Sequence, residues 1–398
     1  MQFLIFVVFL IGLIVFQPAA TRTNYVPDLS NNFSVIEDSF QRTTKYKTNY
    51  STAYSYSKHY DSDYSRTIHE VSKIQTTQSL PIWNSDSFEG SSSSPQRKRI
   101  SQIKCDGYGK LVTRTVQALP LSLGADVVSL TIQKCEFNAA KLIVGGSNAE
   151  SGEFPHMAAV GFHTRDGSIS WNCGGSLISE EFVLTAAHCS NTTYGDPIVV
   201  RLGTINLNED YNGDDYRDYR VVEVIPHPRY VPPFKYNDIA LLRLSETVRV
   251  TTKIHPACLS NSEFFLKKPI ATGWGRTAFV GKVSSILKKV ELSIIDNTQC
   301  NNLYNQDKMN SKYFRNGVVS SMLCAGELSG GKDTCLGDSG GPLQVIDESN
   351  KCIHHIIGVT SFGKVCGAVN SPGVYTRTSH YLSWIESIVW GKYFDVDI

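Results

Sequence analysis

One short stretch, Lys332-Asp333-Thr334-Cys335-Leu336-Gly337-Asp338-Ser339-Gly340-Gly341-Pro342, narrows what this chain can fold into more than any other. Glycines crowd a single serine, an aspartate precedes it, and a cysteine stands four residues upstream. Glycine adopts backbone conformations that side chains forbid, so such a loop can aim a hydroxyl and neighbouring N–H groups at one point. Acyl transfer needs that pairing of a nucleophile with donors for the oxyanion formed on attack. By itself the stretch also reads as a plain Gly-rich turn. Its company decides between the two readings.

A serine hydroxyl needs a base. Leu184-Thr185-Ala186-Ala187-His188-Cys189 is an apolar run ending in a histidine beside a cysteine, and Asn237-Asp238-Ile239-Ala240-Leu241-Leu242 leads an aspartate into a strand-like run. The chain order is His188, Asp238, Ser339. With Ile143-Val144-Gly145-Gly146, these segments resemble, in order, the four motifs of the chymotrypsin/trypsin family of serine proteases, over about residues 143–391. The other histidines lack such context; His354 and His355 read as ordinary strand or loop residues.

The resemblance implies an all-β fold of two packed six-stranded antiparallel barrels, His188 and Asp238 on the first and Ser339 on the second, closed by a C-terminal helix. Short apolar runs such as Ile198-Val199-Val200 and Ile356-Ile357-Gly358-Val359, separated by Gly- and Pro-containing turns, read as strands independently. Tyr381 to Trp390 spaces its apolar residues as a helix does. By the same resemblance Ser339 is the nucleophile, His188 the base, Asp238 its orienter, and the N–H groups of Gly337 and Ser339 the oxyanion hole. Asp333 floors the pocket for Arg or Lys, between walls at Gly363 and Gly373, with Phe362 where the family usually has tryptophan. Ile143 would be the new N-terminus made by cleavage after Leu142, its ammonium pairing with Asp338. A site floored by Asp333 should not favour leucine, so we expect activation by another protease.

The ten cysteines suit an oxidising compartment. The resemblance implies bridges Cys173–Cys189, Cys300–Cys324 and Cys335–Cys366. Cys105, Cys135, Cys258 and Cys352 then allow three pairings. Cys258 matches the position that tethers a propeptide, and we expect Cys135 as its partner, with Cys105 joined to Cys352. Lys104-Cys105-Asp106-Gly107-Tyr108 and Leu142-Ile143-Val144-Gly145-Gly146 are similar to segments of arthropod clip-domain cascade proteases of the snake type. Residues 21–104 nevertheless contain no cysteine, so the clip itself is missing. Membership of that group implies an upstream activating protease, a downstream protease zymogen as protein substrate in an immune or developmental cascade, and serpin-type inhibitors. A digestive or venom protease and a non-catalytic adaptor are the rival readings. The long propeptide and Leu142 oppose the first, and the intact His188, Asp238 and Ser339 oppose the second.

Residues 1–20 read as a secretory signal peptide, apolar from Phe3 to Phe16 and ending in small residues. Residues 21–99 are rich in Ser, Thr and Tyr without period, and read as a largely disordered propeptide. Arg97-Lys98-Arg99 reads either as a processing site or as exposed charge. Residues 100–142 form a connecting segment, and 143–398 the protease-like domain. Asn32, Asn49 and Asn191 open glycosylation triplets. A net charge of +1 gives no reason to expect nucleic acid or a membrane as partner. No cluster has metal-ligand spacing, and no cofactor is expected; the acidic loop Glu209-Asp210…Asp214-Asp215…Asp218, where some relatives bind calcium, reads more simply as solvated.

Overall fold

The computed structural model describes residues 97–118, 128–135, 146–190, 192–208, 216–262, 267–276, 283–305, 312–335 and 337–391. The signal peptide, nearly all of the Ser/Tyr-rich propeptide, the three candidate glycosylation asparagines Asn32, Asn49 and Asn191, the Leu142–Ile143 bond and residues 209–215 of the acidic loop lie outside them.

The first half of the protease-like domain is a closed barrel. Strands β4 (Met157–His163), β5 (Ile169–Leu177), β6 (Phe182–Thr185), β7 (Val199–Leu202), β8 (Arg217–Pro226) and β9 (Ala240–Leu244) join in the order β4-β5-β6-β9-β8-β7, all antiparallel. Its centre holds Val160, Phe162, Leu177, Leu184, Leu202 and Leu241, all wholly buried. Burying such side chains stabilises by about 1.5–3 kcal/mol each, and closure leaves no edge strand exposed.

The second half is a curled sheet. Strands β11 (Ile270–Gly273), β12 (Lys288–Glu291), β13 (Ser293–Ile295), β14 (Met322–Gly326), β15 (Pro342–Ile346), β16 (His354–Phe362) and β17 (Gly373–Arg377) follow the path β13-β14-β17-β16-β15-β11-β12. Two short strands, β3 (Ser147–Asn148) and β10 (Cys258–Leu259), add to β12 and β16. Lys288 to Ile295 is nearly continuous but breaks at the buried Leu292, whose N–H is taken by the Pro269 carbonyl at 2.9 Å. Its halves therefore sit at opposite ends of the path, which is how the sheet comes round on itself. Helix α2 (Asn297–Asn305) follows β13, and the C-terminal helix α3 (Leu382–Val389) buries Leu382 and Ile385 in the core of the first barrel. The β fold and closing helix agree with the sequence expectation.

The sequence reading assigned no secondary structure to the connecting segment. It forms helix α1 (Ile100–Leu111) and an antiparallel hairpin, β1 (Thr113–Ala118) with β2 (Val128–Gln133). Tyr108 on α1 is buried; its hydroxyl donates to the Ile178 carbonyl at 3.2 Å, and His255 Nε2 meets its carbonyl at 3.1 Å. Lys98 and Arg99, just ahead of α1, are tied down. Lys98 pairs with Asp106 at 2.7 Å. Arg99 donates to Glu386 on α3 at 3.1 and 2.7 Å, and Glu386 also accepts the Ser101 hydroxyl at 2.6 Å.

The expected propeptide bridges are corrected. Cys105 pairs with Cys258 and Cys135 with Cys352, not Cys135 with Cys258 and Cys105 with Cys352. The reason is topological. β10 runs parallel to β16 with Cys258 opposite His355, so Cys258 and Cys352 are neighbours and chain order cannot choose between them. The α1 contacts through Tyr108 place Cys105 over β10, and the hairpin carries Cys135 on to Cys352. The other three bridges, Cys173–Cys189, Cys300–Cys324 and Cys335–Cys366, are as expected.

Glu386 is 6% exposed and serves both Arg99 and Ser101. Glu386→Ala should lower unfolding free energy by about 2 kcal/mol, the lower range for a broken buried pair because Arg99 is partly exposed. Protease susceptibility at Arg97–Arg99 should rise in parallel. Chemical denaturation and timed tryptic digestion check both; an unchanged midpoint and digestion rate would show that α1 is held elsewhere.

Candidate active site

His188 lies in a short 3₁₀ turn (Ala187–Ser190) that ends β6. Asp238 enters ahead of β9, after Asn237 in a left-handed conformation at φ 56°, which asparagine tolerates better than most residues. The two segments come from paired strands, β6 and β9, and this fixes their separation. Asp238 is 2% exposed. Its Oδ1 accepts the His188 backbone N–H at 2.8 Å and its Oδ2 faces His188 Nδ1 at 2.7 Å. The Ser361 hydroxyl donates to the same Oδ2, and the Thr376 hydroxyl donates to the Asp238 carbonyl at 2.7 Å. Burial alone would raise this carboxyl. The His188 charge and the hydrogen bonds from His188 and Ser361 outweigh it and hold the group below the usual aspartate value.

Ser339 is wedged against the His188 segment by its own loop. Its carbonyl accepts the Gly174 N–H at 2.8 Å. Gly340, at φ 79°, passes so near β6 that an added Cβ would lie 2.1 Å from Thr185 Oγ1 and 3.1 Å from the Ala186 nitrogen. No larger residue fits there. The loop thus packs on the two residues before Ala187 and His188. No hydrogen bond joins the Ser339 and His188 side chains among the described residues.

Asp338 is buried as well. Its Oδ1 accepts the Gly275 N–H and its Oδ2 the Cys335 N–H, each at 2.8 Å. An added Cβ at Gly273 or Gly275 would stand 2.0 or 2.6 Å from this carboxylate, so both positions must be glycine. It pairs with no cationic side chain among the described residues. Burial pushes it up to about 6, against the pull of the two backbone donors. A cavity of about 270 Å³ opens beside it, lined also by Gly146, Lys289 and Asp333.

Asp333 accepts the N–H of Thr334 at 2.8 Å and that of Gly367 at 3.4 Å. Burial, with the Asp338 charge adding, pushes it up to about 7. Gly373 stands against it: a Cβ there would lie 3.2 Å from Asp333 Oδ1, and one at Gly363 would lie 3.9 Å from the Gly373 Cα. The Cys335–Cys366 bridge ties the Asp333 segment to the loop after Gly363. Asp333, Gly363 and Gly373 are therefore together, as the sequence reading had them. Gly337, at φ 101°, packs on Gly275.

Ser361, Thr376 and the glycine pair Gly273/Gly275 were missed from sequence. The available signal was the Gly273-Trp274-Gly275 doublet and the hydroxyl pair Thr360-Ser361 just before Phe362. The described His/Cys groupings, Cys105/Cys258/His355 and Cys173/His188/Cys189, are built on disulfide-bonded sulfurs that cannot ligate as thiolates. In the acidic loop, Asp218 takes a two-pronged contact from Arg201 at 2.7 and 2.8 Å.

Two antiparallel β halves, a histidine on a buried aspartate and a serine on a glycine loop define a hydrolase of the serine-nucleophile class. Residues 143–385 match the family described as Trypsin, and the chain belongs to the trypsin family of serine proteases. It is 39% identical over 301 residues to "Serine protease snk" of Drosophila melanogaster, covering 74% of this chain and 66% of that protein. It is 39% identical over 257 residues to "Serine protease Hayan" of the same fly, covering 62% of this chain and 39% of that one. Against the "Proclotting enzyme" of Tachypleus tridentatus it is 36% identical over 255 residues, 61% of this chain and 65% of the relative. The matches thus span less than two thirds of these relatives' own lengths.

The buried, cation-free Asp338 has a measurable consequence. Its folded value, about 6, exceeds the ordinary 3.8, so the folded state holds the proton more tightly. Stability is then lost as pH rises from about 4 to 6, and the cost is fully present above 6. The shift corresponds to about 3 kcal/mol. In the uncut chain, Asp338→Asn should gain on wild type by about that amount between pH 4 and pH 7, by denaturant titration at each pH. A difference independent of pH would contradict the assignment.

Proposed function

We propose that the chain is the secreted zymogen of a trypsin-like endopeptidase that cleaves after Arg or Lys in an extracellular proteolytic cascade. The observation that carries this is Asp333: a half-buried carboxylate set against Gly373 that, among the described residues, accepts only the backbone N–H groups of Thr334 and Gly367, and that lines a cavity. In the proposed reaction the substrate's Arg or Lys pairs with Asp333, which sets the scissile carbonyl over Ser339. His188 takes the hydroxyl proton as Ser339 Oγ bonds to the carbonyl carbon. The oxyanion is received by the Gly337 and Ser339 N–H groups. His188 then returns the proton to the leaving amine, and water repeats the sequence to release the acid. Asp238, fixed by Ser361 and Thr376, holds the imidazole tautomer and offsets its positive charge.

Activation follows from Asp338. Cleavage between Leu142 and Ile143 would free an ammonium that enters the cavity lined by Gly146 and pairs with Asp338. The pair orders the loop bearing Gly337 and Ser339, and the Ser339–His188 contact is completed. The apolar leader supports secretion, and the described residues include no helix long and apolar enough to cross a membrane. The relatives' names, with "Melanization protease 1" of Drosophila melanogaster and "Proclotting enzyme" among them, support a cascade with a protein substrate and an upstream activator. Serpin-type inhibitors are the expected regulators. Turnover of an arginine ester after cleavage at 142–143, absent before it, tests the reading; activity toward aromatic but not basic esters would sink it.

Two results should accompany that test. Because Leu142 precedes the bond, the active form added to uncut chain should leave 142–143 intact over hours, as N-terminal sequencing would show; rapid appearance of an Ile143 terminus would refute this. Because Asp333 must be ionised to hold a cation and is pushed up to about 7 with Asp338 unpaired, the uncut chain's affinity for an aryl amidine should rise about tenfold from pH 6 to pH 8. Calorimetry at the two values measures it, and a flat profile would mean another group binds the cation.

A further inference from the structure

Beside the Asp333 pocket stands an aromatic wall that the reaction above does not use. Phe362 ends β16 between Ser361, which donates to Asp238, and Gly363, which faces Gly373. Its ring meets Phe314 at 5.1 Å and Tyr304 at 5.9 Å, both edge-on. Phe314 in turn stacks on Tyr236 at 5.9 Å. Tyr236 stands two residues before Asp238, and its hydroxyl accepts the Asn316 N–H at 2.8 Å. The Lys235 N–H donates to the Tyr313 carbonyl at 3.2 Å. Segment 234–236 and segment 312–317 thus form one unit with Phe362.

This wall carries a rim of cations on ring faces. Lys235 Nζ lies 5.5 Å from the Phe362 centroid, Lys312 Nζ 5.4 Å from that of Tyr313, and the Arg315 guanidinium 5.9 Å from that of Phe234. None of the three forms an ion pair with a carboxylate among the described residues. Asp238, next in the chain, is buried and engaged by His188 and Ser361. The chain's net charge is only +1, so this concentration of positive charge is local. A cation–π contact fixes an ammonium without neutralising it.

We infer that the Phe362 wall and its Lys235, Lys312 and Arg315 rim select substrates with acidic side chains two to four residues before the scissile Arg or Lys. A peptide whose basic side chain enters toward Asp333 leaves the pocket along its wall at Ser361–Gly363. The preceding residues then cross the Phe362 ring, where Lys235 waits and where Lys312 and Arg315 flank the path. The aromatic floor takes the aliphatic stem of Asp or Glu, and the rim takes its carboxylate. The inference rests on the Arg/Lys reading of the Asp333 pocket.

The test uses the full chain with residues 138–142 exchanged for an enteropeptidase recognition sequence, cut before Ile143. Competent sites are counted by titration with a covalent serine inhibitor. Fluorogenic peptides ending in arginine are compared in pairs, Asp against Asn and Glu against Gln, at the second to fourth positions before the cut. The acidic member should have kcat/KM about fivefold to tenfold higher, chiefly through KM, and the advantage should shrink as ionic strength rises from about 0.05 to 0.5 M. Lys235→Glu should reverse the preference toward basic residues, and Lys312→Gln with Arg315→Gln should reduce it. Equal turnover of paired peptides, or a preference untouched by these variants at equal titrated sites, overturns the inference and leaves the Arg/Lys reading standing. Loss of turnover on every arginine peptide by the cut, titratable wild-type chain overturns both.

Discussion

A buried carboxylate facing no cation is costly, because ionised groups leave water unwillingly and two backbone donors only partly replace its shell. Asp338 is in that position, and its elevated proton affinity records the cost. The consequence spreads because of what Asp338 touches. One oxygen is bound to Gly275, beyond the end of β11, and the other to Cys335, in the loop that carries Asp333, Gly337 and Ser339. The state of this one carboxylate therefore bears at once on the segment holding Asp333, Gly337 and Ser339. In the proposed activation a single ammonium acts on all three because they share one support.

The same economy explains how the connecting segment is held. It is anchored near both ends: through Arg99 and Ser101 on Glu386 with Cys105 on Cys258, and through Cys135 on Cys352. Cleavage at 142–143 would fall outside both anchors. The terminus needed at Asp338 could then move without releasing residues 97–135. Cross-links spanning 153 and 217 residues also restrict the unfolded chain strongly.

What was legible in the sequence follows a physical division. Ser339, His188, Asp238 and Asp333 sit in segments whose neighbours are constrained by close backbone packing, as at Gly340 against Thr185, so local composition betrays them. The strands showed through because each apolar run is short and bounded by turns. Helix α1 did not, because its apolar residues are few and its stability comes from distant Glu386 and Ile178. The propeptide bridges were misassigned because Cys258 and Cys352 are spatial neighbours on β10 and near β16, a fact of sheet pairing that no spacing along the chain encodes. Ser361 escaped for a similar reason: a lone serine acquires meaning only when its strand crosses the Asp238 segment, 123 residues away.

Three aspartates in this cleft show how environment alone divides one residue type into different tasks. Asp238 is buried, yet stays on the acidic side because His188 and Ser361 satisfy it. Asp333 is raised to about 7 by burial, with the Asp338 charge adding. Asp338, raised to about 6, lacks a partner of its own among the described residues. The Asp338 charge adds to the rise at Asp333, so neutralising Asp338 would also lower Asp333 toward its ionised form. In the proposed activation, an ammonium at Asp338 would thus also act on Asp333, by removing a neighbouring negative charge. In the proposed function, activation and recognition would be coupled through the electrostatics of a cavity that both carboxylates line.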